Sequence, residues 1–219
     1  MQTKYKRKDD FMQSNEEKGI SKVKKDIYCL NIIGEIEGHT TLPNSTKTTK
    51  YEHIIPKLVE LEEDDEIKGL LIILNTVGGD VEAGLAISEL IAGISKPTVS
   101  LVIGGGHSIG VPLAVSADYS FIAPSATMTL HPVRTSGTII NSKQSFDYLN
   151  KLQESITDFV VSHSDISKNK FNSLLFETSD MANDVGTVLF GEETVKCGLI
   201  NATGTIDSAI KKLYSLINM

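Results

Sequence analysis

Apolar residues recur along this chain at two spacings, and the change from one to the other marks out the elements. Residues 27–33 form a short apolar run, and residues 70–74 are apolar at every position. Runs of this length predict strands, and one apolar on both faces predicts a place inside a parallel sheet. Residues 98–103 read the same way, and 119–123 and 127–130 predict two shorter strands separated by Pro124. Between them the period lengthens. Ile54, Ile55, Leu58, Val59 and Leu61 share one side of a helix over 51–62. Leu85, Ile87, Leu90, Ile91 and Ile94 share one side of the next, which Asp80 can cap and Pro97 stops. Strand–helix–strand alternation predicts an α/β fold with a parallel sheet.

From Ser142 to His163 the residues Phe146, Leu149, Leu152, Ile156, Phe159 and Val160 keep helical spacing over a stretch longer than one small core needs. Part of that face is therefore expected to meet another subunit, and a shorter helix is expected over 168–176. Residues 1–25 are polar, mixed in charge and aperiodic, which predicts a mobile tail ahead of a single domain over 26–219. The tail has no apolar stretch of the kind a signal peptide carries, and no run approaches the roughly 20 apolar residues of a membrane span. A net charge of −7 argues against nucleic acid or an anionic membrane surface as partner. Cys29 and Cys197 lie far apart in apolar surroundings and read as reduced thiols, which with the rest suggests a cytoplasmic protein.

The chemistry concentrates between Leu70 and His131. Gly78-Gly79 ends a predicted strand where a parallel sheet presents ligands, and a bare backbone there allows an N–H to face a substrate carbonyl. Gly106-His107-Ser108-Ile109-Gly110 sets a serine between a strand and a helix, so that its hydroxyl stands exposed with the Ile109 N–H beside it. A serine needs an imidazole to take its proton, and an acyl intermediate needs donors for its oxyanion. Of the five histidines, His39 and His53 fall in a loop and on a charged helix edge, His163 at a helix end, and His107 next to the serine itself. His131 ends a strand before a proline and is the candidate base. No histidine has metal-ligand spacing with another ligand, and no cofactor is implied.

The order and spacing of these stretches resemble the Clp protease proteolytic subunit, within the crotonase-like superfamily, and within it the translocation-enhancing group. Asn75-Thr76-Val77-Gly78-Gly79 is similar to the family's Asn-Ser-Pro-Gly-Gly turn, with Val77 in place of the proline. Ser108 follows Gly79 by 29 residues (108 − 79) and His131 follows Ser108 by 23 (131 − 108), in a Leu-His-Pro that resembles the family's Met-Ile-His-Gln-Pro. Residues 190–200 resemble its Glu-Glu-Ala to Gly-Leu-Ile segment. The resemblance implies repeated β-β-α units around a mainly parallel sheet, a protruding long helix, and a serine endopeptidase. Ser108 would be nucleophile, His131 base, and the Gly79 and Ile109 amides the oxyanion donors. It implies unfolded polypeptide as substrate and a homo-oligomer, plausibly a ring with the tail near a pore, but names no unfoldase partner. The family's aspartate lies twelve residues before the glycine of Gly-Leu-Ile, and here that position is Gly186. Asp184 is the favoured third member and Asp180 the next. Otherwise His131 is oriented by a backbone carbonyl or by Asn183.

Two other readings compete. The serine pentapeptide also fits the α/β-hydrolase elbow, but that fold puts its histidine last, where only His163 stands, on the same helix as its acids. A catalytically silent or acyl-CoA-type protein of the crotonase fold would use the same oxyanion turn without a nucleophile.

Overall fold

The computed structural model describes residues 20–24, 26–135, 141–180 and 184–219. Its strands are Ile20–Lys24 (β1), Ile27–Glu37 (β2), Thr48–Lys50 (β3), Gly69–Gly79 (β4), Thr98–Gly106 (β5), Tyr119–Ile122 (β6), Thr127–Leu130 (β7), Thr187–Phe190 (β8) and Ala202–Thr203 (β9). Its helices are Tyr51–Glu63 (α1), Val81–Ala92 (α2), Gly110–Val115 (α3), Ser142–Ser162 (α4), Lys168–Leu175 (α5), Gly191–Lys196 (α6) and Ile206–Ile217 (α7). The strands run β1-β2-β4-β5-β6-β9 across one sheet, parallel from β2 onward. This is the mainly parallel α/β architecture that the alternation predicts.

The largely apolar runs of β2, β4 and β5 follow from burial on both faces. Leu30, Ile32, Leu70, Ile72, Leu74 and Val102 point into one core, under α1, α2 and α3. Their neighbours Cys29, Leu71, Val99 and Leu101 point into a second, closed by Ala209 and Leu213 of α7. Burial pushes the Cys29 thiol up to about 11, which keeps it protonated and unreactive at neutral pH.

Two differences from the sequence reading have physical causes. Residues 20–24 pair antiparallel with β2, Ile20 opposite Leu30, so the tail expected over 1–25 gives way to a strand; its residues 1–19 and 25 lie outside the described residues. The central strands run past their apolar cores into polar and glycine residues, because main-chain pairing continues after side-chain burial stops. The long helix agrees with the sequence reading: only the second half of α4 is buried, through Ile156, Thr157, Phe159 and Val160. In its first half Phe146 and Tyr148 are 65% and 52% exposed, so the helix projects beyond the core.

β7 and β8 stand apart from the main order. β7 joins β5 at Gly105–Thr127 and pairs antiparallel with β8, Leu130 opposite Thr187. That pairing brings the chain before β8 alongside the end of β7.

Candidate active site

The C-terminal ends of β2, β4 and β5 are tied by two polar side chains of β4. Buried Thr76 donates to the Gly34 carbonyl at 2.6 Å and accepts from the Gly78 N–H at 3.0 Å, while Asn75 accepts from the Gly105 N–H at 2.8 Å. The ladder is irregular at both Gly34/Glu35 and Leu74/Thr76, as bulged strand ends are. Gly78 and Gly79 take φ of 93° and 146°, which side chains disfavour. A Cβ at Gly78 would lie 2.6 Å from Ser108 Cβ, and one at Gly79 would lie 2.3 Å from the Ile36 carbonyl oxygen. The paired glycines therefore let the strand end pass directly against the serine turn. Asp80 then caps α2, accepting from the Ala83 N–H.

Ser108 has a φ of 56°, the one positive value at a non-glycine residue among those described. A serine held there costs of order 1–3 kcal/mol, and such strain gathers where a side chain must be presented. The turn is pinned by His107 N–H to Thr76 O, Ser108 N–H to Thr129 O, Gly110 N–H to His107 O and Val111 N–H to Ser108 O. Among the described residues the Ile109 N–H, in the middle of this series, has no acceptor.

His131 follows β7. Its Nδ1 lies 2.8 Å from the carbonyl oxygen of Pro132. A carbonyl only accepts, so Nδ1 carries the proton and Nε2 keeps its lone pair when the ring is neutral. His107 turns toward the same region: its Nδ1 is 2.9 Å from Thr129 Oγ1. Burial, and next the nearby charge of His131, hold the His107 pKa below that of an ordinary histidine.

Gly79, Ser108, Ile109 and His131 all line one cavity of about 210 Å³, whose apolar wall includes Val111, Pro112, Ile156, Phe171 and Leu175. The structure thus brings together four of the five residues singled out in the sequence. It does not bring Asp184 to His131. Asp184 Oδ2 pairs with Arg134 at 2.7 Å and Oδ1 accepts from the Val185 N–H. Asp180 accepts from the Val188 N–H, and Asn183 lies outside the described residues. The residue beside His131 is Gly186: a Cβ built there would stand 2.9 Å from His131 Cβ and 2.3 Å from the Leu130 carbonyl oxygen. The backbone-carbonyl alternative is the one the structure shows, in Pro132; sequence reasoning passed over Arg134 and Gln153, which also line the cavity.

Residues 24–206 match the Clp protease family. The chain is 58% identical over 191 residues to the translocation-enhancing protein TepA of Halalkalibacterium halodurans, covering 87% of this chain and 75% of that one. It is 27% identical to a putative protease of Methanocaldococcus jannaschii, covering 92% and 72%. It is also 27% identical to an ATP-dependent Clp protease proteolytic subunit of Leuconostoc citreum, covering 68% and 73%.

Proposed function

The chain belongs to the Clp protease family, and from that premise we propose that it is a serine endopeptidase that cleaves unfolded polypeptides through an acyl-enzyme on Ser108. The observation that carries this reading is the shared cavity. It holds a serine in a strained turn, an amide without an acceptor, and a histidine whose Nδ1 proton is already committed to a carbonyl. His131 Nε2 takes the Ser108 hydroxyl proton as Oγ attacks the scissile carbonyl. The Gly79 and Ile109 amides stabilise the oxyanion, and the proton passes to the leaving amine. Water then repeats the sequence and frees the acid. In this mechanism the Pro132 carbonyl orients His131, and Asp184 is engaged by Arg134. A neutral carbonyl stabilises an imidazolium less than a carboxylate does, so the rate is expected to be low for a serine peptidase.

We extend to this chain the assembly implied by a proteolytic subunit, with the exposed Phe146–Tyr148 end of α4 as the contact. A part in protein translocation or quality control, as the name of the TepA relative suggests, belongs to the same proposal.

A second reading, a binding or assembly subunit without turnover, has one observation in its favour. Among the described residues no hydrogen bond joins Ser108 Oγ to His131, and glycine stands at the family's aspartate position. Fluorophosphonate labelling with a peptide-hydrolysis assay separates the two. The peptidase reading requires labelling at Ser108, with labelling and turnover lost in Ser108→Ala; an unlabelled, inert wild-type protein supports the second.

A further inference from the structure

The peptide unit between Pro132 and Val133 is held from both sides. Its carbonyl receives the His131 Nδ1 proton at 2.8 Å, and its N–H donates to Gln153 Oε1 at 2.8 Å. Gln153 stands on α4 and lines the cavity that holds Ser108. Its amide has one consistent orientation. Buried Thr157 donates its hydroxyl to the Gln153 backbone carbonyl at 2.9 Å, which leaves Thr157 Oγ1 to accept from Gln153 Nε2 at 3.4 Å. With Nε2 directed at Thr157, Oε1 faces the Val133 N–H. The hydrogen bonds then run in one direction, from His131 into the Pro132 carbonyl and from the Val133 N–H of the same unit into Gln153.

Two physical consequences follow. A peptide unit is planar, so fixing its N–H fixes the direction in which its carbonyl points. A hydrogen bond accepted from the N–H also polarises the amide and makes its oxygen a stronger acceptor, since linked hydrogen bonds reinforce one another. We propose that Gln153 is a positioning residue for the catalytic histidine: through the Pro132–Val133 peptide it sets the angle and tautomer of His131, in place of a triad carboxylate. This rests on the peptidase reading above. Gly186 supports it, because the bare backbone packed against His131 leaves no side chain there to do the orienting.

The test uses the full-length protein and two variants. Gln153→Met keeps the length of the side chain and removes the acceptor; Gln153→Glu keeps an acceptor oxygen and adds a charge. Melting temperature, kcat, KM and the pH–rate profile on an unstructured peptide are measured for each. Gln153→Met is expected to lower kcat by about tenfold, a part of the roughly 10²–10⁴ that general-base catalysis supplies, with KM nearly unchanged. Its acid limb should move to lower pH, because the imidazolium has lost support. Gln153→Glu should restore kcat to within a few-fold and move the acid limb to higher pH, because a negative charge now favours the imidazolium. A purely structural tie would not move the two limbs in opposite directions. Wild-type kcat and an unmoved profile in Gln153→Met, with Ser108→Ala inert, overturn the role of Gln153 and leave the peptidase reading standing. An active Ser108→Ala overturns that reading instead. Should Gln153→Met lose its native melting transition, Gln153→Glu decides alone, and an acid limb that stays in place overturns the proposal.

Discussion

Replacing Gly186 by alanine adds a single methyl group at the point where β8 approaches the end of β7. That methyl would lie 2.3 Å from the Leu130 carbonyl oxygen and 2.9 Å from His131 Cβ, against ordinary contact distances of 3.4 Å or more. The backbone there has φ of +136°, a conformation that costs a side chain about 1–3 kcal/mol even without neighbours. Forcing the two segments apart adds about 1–3 kcal/mol more, as overpacking does elsewhere. A middle value of about 4 kcal/mol corresponds to a melting temperature lower by about 8–16 °C for a chain of this size. Because one of the atoms displaced is His131 Cβ, fluorophosphonate labelling of Ser108 should slow as well. Differential scanning calorimetry and labelling kinetics on the same preparation check both effects. Gly186→Asp should behave like the alanine variant, since its carboxylate starts from the same misplaced Cβ. An alanine variant that melts with the wild type and labels at the wild-type rate would refute the reasoning, as would faster labelling in Gly186→Asp.

Two further outcomes follow from the site. Asp184→Asn removes an ion pair with Arg134 whose side chains are 39% and 49% exposed, so stability should change by less than about 1 kcal/mol and kcat by no more than a few-fold; a loss near the roughly 10⁴-fold seen when a triad carboxylate becomes an amide would return the orienting role to Asp184. His107 has a folded pKa below its unfolded value near 6.5, so the folded state resists its protonation. The stability it holds at neutral pH is lost as pH falls from about 6.5 toward the lower folded value. Melting temperatures from pH 7.5 to 4.5 should therefore fall less steeply in His107→Gln than in the wild type, and parallel curves would exclude this.

The central strands and the helices α1, α2, α4 and α5 are legible in the sequence because their burial is periodic and nearly continuous. β3, β8 and β9 are not, since these short strands have little apolar pattern of their own and form against partners distant in the chain. Ser108, His131, Gly79 and Ile109 stand out because chain direction alone places strand ends and helix starts on one edge. What orients His131 is legible only as one alternative among several, because a backbone carbonyl has no letter in the sequence that would favour it over a nearby carboxylate. Gln153 leaves a faint mark: it sits four residues after Leu149 and three before Ile156, an amide on the inward stripe of α4. The pairing of Asp184 with Arg134 depends on the antiparallel approach of β8, and no local pattern announces it.

Gly186 also bears on descent. A glycine codon lies a single base from an aspartate codon, so at the level of the gene a carboxylate at this position is as easily gained as lost. Here the two directions are unequal. With the segment packed against Leu130 and His131, the step from glycine to aspartate meets a backbone without room for it, while the opposite step does not. A carboxylate at this position is accommodated only after the strand end itself has moved.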